Sequence, residues 1–541
     1  MKLKLLRKFY LGFIVLIGVF LISARVVKAM TPEEIVIHYY RYNNIDQDHN
    51  AWVWQDQPNP SAGSQHDFIL ETDHPNWLVT SVDLTKASYT GARRLGVIIK
   101  NKSGWDGVIR EPGGDRFITI DANTEIIDNK YHFYFVQGDQ AIYNTRPEIK
   151  DTIFKTYFNI AKGIVVEATG LGDWILKEDN VEIASGTSTT NQFTINPGGV
   201  IDITKRYTVE QTFADGGHTV KQVGLEKLYD TQEFTNAFYY SGTLGPIYTK
   251  AKTTFKVWSP TSENIILNLY HQGHPLYDNL GNKLAEADIE DTPYESIPMT
   301  KKEKGVWEAE FVGDLHGKYY TYTVINGSAS NEIVDPYAYS LGANGLRGMI
   351  LDFSKTNPTN WQNKRPNTIT NWTDYIIYEL HVRDFTTHSS WGGPKELAGT
   401  FLGLAQSGTT YTKGDVTVTT GLDHIAELGV NAIHILPFFD HGEVDETRLK
   451  DEAYMKNHAY NWGYMPRNFN SLEGSYSTNP FDGAVRVNEF KTMVQALHNK
   501  GIRLIMDVVY NHTSNAENSN FQYLVPNYYY RLNVDGSWSN G

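Results

Sequence analysis

The chain has 541 residues, 48 of them basic and 62 acidic, for a net charge of −14 with histidine neutral. That length accommodates several domains of roughly 100–200 residues, and the acidic balance argues against a nucleic-acid-binding surface. There is no cysteine, which excludes disulfides, thiol catalysis, zinc–thiolate sites and iron–sulfur clusters.

At the N-terminus Lys2, Lys4, Arg7 and Lys8 precede an apolar run from Leu11 to Ala24. The run is shorter than the roughly 20 residues of a membrane span. It leads to Val27-Lys28-Ala29, so residues 1–29 read as a signal peptide, with an uncleaved anchor as the competing reading. The mature chain is expected to be secreted or cell-surface, with no membrane partner after cleavage and no nucleic-acid partner.

Three β-rich stretches follow. Over 30–145, runs such as Ile35-Val-Ile-His-Tyr-Tyr40, Arg94-Leu-Gly-Val-Ile-Ile99 and Tyr131-His-Phe-Tyr-Phe-Val136 alternate between turn residues, the pattern of a small sandwich. Over 146–242, Gly163-Ile-Val-Val-Glu-Ala168 predicts a strand, Ser185–Thr190 a Ser/Thr-rich loop and Val200-Ile-Asp-Ile203 a further strand. Over 243–357, Thr254-Phe-Lys-Val-Trp258 and Tyr319-Tyr-Thr-Tyr-Thr-Val324 predict a third sandwich. The chain is rich in rings, with 34 Tyr, 24 Phe and 12 Trp. These suit stacking on apolar ligand faces, although rings also fill sandwich cores.

The pattern changes in 358–541. Tyr375-Ile-Ile-Tyr-Glu-Leu-His-Val382 reads as a buried strand, Gly421–Leu428 as a helix and Ala432-Ile-His-Ile-Leu-Pro437 as a strand. In Asn488–Lys500, Phe490, Met493, Val494 and Leu497 recur at helical spacing, and Arg503-Leu-Ile-Met-Asp-Val-Val509 follows as a strand. Apolar strands alternating with helices predict a parallel sheet with crossover helices. Side chains that do chemistry gather where such strands end, which draws attention to Asp384, Phe438-Phe439-Asp440, Asp507, Asn511 and His512.

These residues carry a resemblance. Asp507-Val-Val-Tyr-Asn-His512 resembles the first conserved segment of glycoside hydrolase family 13, the α-amylase superfamily. Tyr460-Asn-Trp-Gly-Tyr464 followed by Pro466 resembles the signature of type I pullulanases. Tyr378–Phe385 and His434–Asp440 are similar to their first two barrel strands. Upstream, Phe255–Pro260, Gly317–Tyr322 and Val334–Tyr337 resemble the family 48 carbohydrate-binding module. Trp52-Val-Trp54 with Gly113–Phe117 resembles the family 41 starch-binding module, and the middle stretch an immunoglobulin-like spacer. The fold class implied is multidomain: β-sandwich carbohydrate-binding modules followed by the first part of an α/β TIM (β/α)8 barrel.

Sugar rings have apolar CH faces and a polar rim, so aromatic platforms beside amides and carboxylates suit them. Trp52 and Trp54, two apart on a strand, would share one face as a two-ring platform, with Asp115 and Arg110 or Trp105 at its rim. The resemblance gives Tyr464 the role of stacking on the sugar at the cleavage site and His512 that of donating a hydrogen bond to it. It gives Asp507 the task of fixing the segment, Trp462 and Asn461 that of shaping the pocket for a branched linkage, and Asn511 that of supporting a loop or a calcium site. Met465 stands where many pullulanases have Asp. No cofactor is required; calcium is the metal to test for.

From Asp374 onward the sequence offers three strand candidates, where an eight-stranded barrel takes roughly 250 residues. A retaining glycosidase needs two carboxyls about 5–5.5 Å apart, and the family segments that carry the nucleophile Asp and the acid/base Glu do not occur. The expectation is therefore an N-terminal fragment of a pullulanase-type enzyme hydrolysing α-1,6 links in pullulan, amylopectin or glycogen, inactive by itself, with its catalytic carboxyls beyond Gly541. The alternative is a secreted α-glucan-binding protein with a non-catalytic barrel remnant.

Overall fold

The computed structural model describes residues 32–541 apart from 43–48, 58–60, 75, 90, 102–114, 121–123, 199–200, 275–291, 328, 362–364, 459, 533–538 and 540–541. The signal-peptide assignment and the assignments of Trp105 and Arg110 fall outside the described residues. Among the described residues no helix is long and apolar enough to cross a membrane. They fall into two compact units, one ending at Ile149 and one starting at Lys150.

The first unit is a two-sheet sandwich. In its five-stranded sheet Glu34–Tyr40 runs antiparallel to Trp77–Asp83 and parallel to Lys130–Val136. Its four-stranded sheet sets His49–Gln57 between Ser64–Asp67 and Arg94–Asn101, with Arg116–Thr119 at the edge. The alternation seen in sequence turns Ile35, Ile37 and Tyr39 from one sheet, and Ala51, Val53, Leu95 and Val97 from the other, into one core.

The second unit opens with two more sandwiches. Around a core containing Phe158, Val166, Leu176 and Val209 pack a three-stranded and a four-stranded sheet. Two local expectations need correcting here. Ser185 to Thr187 continue the strand Val181–Thr187 rather than opening a loop, because they pair with Gly172–Glu178. Ile201 and Ile203 form no strand, yet both are buried, plugging the core from an irregular segment. The helix Gln232–Phe238, capped by the Thr231 hydroxyl on the Phe234 N–H, was not anticipated. The next sandwich joins Lys252–Trp258 and Val306–Val312 in one sheet to Asn264–Tyr270 and Tyr319–Asn326 in another.

Beyond it comes a parallel sheet of three strands, Ile377–Leu380, Ala432–Ile435 and Arg503–Met506, in that spatial order. Helices Gly421–Glu427 and Gly483–Asn499 lie in the crossovers. The longer one starts five residues before the expected Asn488, because the Asp482 carboxylate caps it on the Ala484 N–H. Phe490, Met493, Val494 and Leu497 pack on the sheet as the spacing predicts. Of the three strands only the central one is covered on both sides by neighbours. The first was expected to be buried, but as an edge it leaves Ile376 and Ile377 about half exposed, at 54% and 53%.

Candidate functional site

Glu379, His434 and Ile505 stand side by side in the parallel register, so Glu379 and His434 share a face. Asp507, two residues after Ile505, falls on that face at the end of the third strand. His434 bridges the carboxylates, with Nδ1 3.6 Å from Glu379 and Nε2 3.7 Å from Asp507. Neither Glu379 nor His434 was singled out from sequence; their adjacency follows only from strand register.

Tyr464 reaches this row from the preceding loop. Gly463 makes that approach possible: its φ is +79°, and a Cβ there would lie 2.5 Å from the Pro437 carbonyl oxygen. The Tyr464 hydroxyl donates to Asp507 Oδ2 at 2.5 Å. The carboxylate acceptor holds the phenol proton, pushing its pKa up to about 12. His512 Nε2 donates to the Tyr464 carbonyl at 2.6 Å. Asp507, Tyr464 and His512 are thus brought together, and His512 spends Nε2 on the backbone, so only Nδ1 is left for a ligand.

Exposure alternates along Tyr460–Tyr464. Tyr460 and Trp462 are exposed, at 74% and 56%, and are joined by a bond from the indole N–H to the Tyr460 hydroxyl at 2.8 Å. Asn461 points the other way. Instead of lining an open pocket it is 6% exposed and hydrogen-bonds His381, whose Nε2 is 2.9 Å from the Tyr476 hydroxyl. Met465 is exposed beside this row. Asn511, expected to support a loop or a calcium site, is exposed too. Among the described residues an acidic cluster whose oxygens could gather a cation lies at Asp440, Glu446 and Glu473.

In the first unit Trp52 and Trp54 share the outer face of their strand, alternating with buried Ala51, Val53 and Gln55. Their indoles lie flat on glycine backbone: a Cβ on Gly63 or Gly96 would fall 2.0 Å from the ring of Trp52 or Trp54. Phe117 meets Trp54 edge-on at 5.9 Å, and Arg94 sits 4.1 Å over Phe117 while pairing with Asp56 at 3.3 Å. Phe117 and Arg94 thus join the side-chain cluster on this face, which their spacing alone did not reveal. Asp115 is half-buried at the start of the Phe117 strand.

Comparison with known proteins supports this organisation. Residues 352–527 match the family model described as the alpha amylase catalytic domain, 243–338 that of carbohydrate-binding module 48 (isoamylase N-terminal domain), and 33–144 that of the bacterial pullanase-associated domain. A pullulanase of Bacillus subtilis is 36% identical over 339 residues, covering 61% of this chain and 41% of that protein. Pullulanase A of Streptococcus pneumoniae is 26% identical over 548 residues, covering 93% and 38%. Among solved structures, the pullulanase of Paenibacillus barengoltzii complexed with maltohexaose and α-cyclodextrin aligns with a TM-score of 0.51 at 39% identity, over 58% of this chain and 45% of that one. That of Anoxybacillus sp. LM18-11 with maltotriose aligns at 0.59 and 32%, over 72% and 52%. The chain spans about two fifths of the length of these curated relatives.

Proposed function

The chain belongs to the pullulanase-type members of glycoside hydrolase family 13, and from that premise we propose that it serves the hydrolysis of α-1,6 links in branched α-glucans such as pullulan, amylopectin or glycogen, with retention of configuration. The observation that carries the proposal is the placement of Tyr464 on Asp507, with His512 behind it, at the ends of the parallel strands. We read those strands as the opening of a (β/α)8 barrel.

The residues in hand bind and orient. Tyr464 offers a ring face whose tilt is held by Asp507. His512 keeps Nδ1 for a sugar oxygen, and the Tyr460–Trp462 pair offers a second aromatic surface. A polar rim around flat rings is what a pyranose requires. The first unit's Trp52, Trp54 and Phe117 would hold glucan in their own right, with Asp115 at the rim. Basic residues ahead of an apolar run at Leu11–Ala24 support export of the chain.

The test sets pullulan, which has α-1,6 links, against linear amylose. The segments that carry the nucleophile Asp and the acid/base Glu do not occur in these 541 residues, so the readout is binding. Retardation in pullulan gels beyond that in amylose gels, weakened by Tyr464→Ala, supports the proposal. Retardation unaffected by Tyr464→Ala favours the glucan-binding reading. Retardation in amylose gels alone, or binding to neither polymer, overturns it.

A further inference from the structure

Behind the first parallel strand, on the side turned away from Glu379, His434 and Asp507, lies a cleft of about 650 Å3 that the proposed function does not use. Its place follows from alternation along the strand. Tyr378 points to the side opposite Glu379, and Phe385, in the cleft wall, meets the Tyr378 ring edge-on at 6.3 Å. The other walls are the loop 388–391, the hairpin of Thr410–Lys413 and Val416–Thr419, and the helix Gly421–Glu427. The volume lies within the roughly 300–1,000 Å3 of small-molecule sites.

The walls are pinned to one another. Gly392 has φ +78°, and a Cβ there would lie 1.9 Å from the Thr410 carbonyl oxygen, so the loop rests directly on the hairpin. The Thr420 hydroxyl donates to the Trp391 carbonyl, and the Thr409 hydroxyl to the Thr420 carbonyl at 2.9 Å. Trp391, 5% exposed, forms an apolar floor with half-buried Phe385. Its indole N–H has no hydrogen-bond partner among the described residues. It faces Gly421, where a Cβ would lie 3.0 Å from Nε1 and 2.9 Å from the Thr409 hydroxyl, a spot that the chain leaves unfilled.

Polar groups with bonding capacity to spare stand around this floor. His388 Nδ1 accepts the Ser390 N–H at 3.2 Å and lies 2.8 Å from the Ser390 hydroxyl, so the ring proton sits on Nε2 as a free donor. His424 and Glu427, one helical turn apart in the wall, have no side-chain partner among the described residues. The lining carries one carboxylate and no lysine or arginine, so nothing in it answers the charge of an anionic ligand. We propose that the cleft binds a pyranose of a short neutral oligosaccharide, on the far side of the sheet from Tyr464. The CH face of the sugar would rest against Phe385 and Trp391, one of its oxygens would accept from His388 Nε2, and one of its hydroxyls would donate to Glu427. The assignment follows from the lining of the cleft and not from the role given to Tyr464.

The full chain is incubated with millimolar maltotriose, and hydrogen exchange is followed peptide by peptide. Slower exchange over 385–391 and 417–427 is expected, in Tyr464→Ala as in the native chain. The double variant His388→Ala, Glu427→Ala alters two exposed side chains. In it the maltotriose needed for half of that protection should rise about tenfold, with exchange over 460–464 unaffected by the substitutions. No slowing over 385–391 and 417–427, slowing that vanishes in Tyr464→Ala, or slowing that the double variant leaves undiminished overturns the site. Equal slowing from glycerol at the same concentration overturns the assignment of the ligand.

Discussion

Leu524 ends the short helix Asn520–Leu524 in the segment after the third parallel strand, yet its side chain belongs to the core of the sandwich upstream. It is 2% exposed among Phe255, Val257, Leu267 and Ile350, and its carbonyl accepts the Ser259 hydroxyl at 2.6 Å. Leu524→Ala removes three buried carbons. At about 0.8 kcal/mol each the transfer loss is about 2.4 kcal/mol, and the residual cavity raises the cost to about 3–4 kcal/mol. That loss falls on the docking of the loop, because the parallel sheet has a separate core around Ile433, Ile435, Met493 and Leu497. A chain with several cores does not melt in one clean step, so the assay is hydrogen exchange read peptide by peptide. Exchange over 507–530 is expected to quicken about 100- to 1000-fold, one decade per about 1.4 kcal/mol. The loosening should reach His512, because the neighbouring Thr513 hydroxyl is 2.7 Å from that of Tyr530 in the same docked loop. Faster exchange confined to Asn520–Val525, with 507–513 unchanged, would refute the idea that this docking steadies the sugar-facing segment.

Other perturbations have equally definite outcomes. Trp54→Ala should weaken binding of amylopectin by the chain about tenfold, or about 1.4 kcal/mol, in affinity electrophoresis; full retention would remove Trp54 from the platform. Arg486→Met leaves the buried Glu446 charge without its partner and should cost about 3–5 kcal/mol, read as an earlier unfolding transition in urea. Asp482→Ala deletes the cap of the longest helix and should cost about 1 kcal/mol, visible as faster exchange in the first turn after Gly483.

Period-2 alternation was enough to find several sandwich strands with one face in a core, such as Glu34–Tyr40, Arg94–Asn101 and Tyr319–Asn326, and helical spacing found the face of Gly483–Asn499 that meets the sheet. The place of Asp507 and His512 at a strand end was also legible, because a strand end is a short-range feature, whereas Tyr464 was brought to the same site only by the resemblance. What stayed hidden depends on contacts between distant segments. The buried polar cluster joins Asp440, which its place at a strand end had singled out, to Glu446, Glu473 and Arg486, each unremarkable in its own stretch. The Leu524–Ser259 contact spans 265 residues. Asn461 was assigned to the pocket with Trp462 by the resemblance, and only the observed alternation along Tyr460–Tyr464 shows it buried and turned away from its exposed neighbours.

Protonation offers a way to probe the two compact units one at a time, because their buried groups are shifted in opposite directions. In the first unit His38 is 4% exposed, stacked 4.5 Å from Tyr134, with Nε2 2.9 Å from His132 and Nδ1 3.4 Å from Glu71. Burial lowers its pKa to about 4, with Arg146 and His132 adding to the shift and Glu71 opposing it. A depressed histidine contributes stability above its unfolded pKa of about 6.5, and that contribution is lost as pH falls towards 4. In the second unit burial raises Asp440, Glu473 and Glu446, the last to about 7, against the opposing pull of Arg486 and Arg467. The contribution of a raised carboxyl is complete below about pH 4 and disappears as pH climbs to neutrality. Each effect is read as a difference from a variant that cannot titrate, in calcium-free buffer, so that the many surface carboxylates cancel. The stability of the native chain relative to His38→Asn should fall between pH 6.5 and 4, in the transition reported by exchange in the Glu34–Tyr40 strand. Its stability relative to Asp440→Asn should fall between pH 4 and 7, in the transition reported by the Ala432–Ile435 strand. Two slopes of the same sign would mean that one of these groups is solvated in the folded chain, and the burial argument for it would fail.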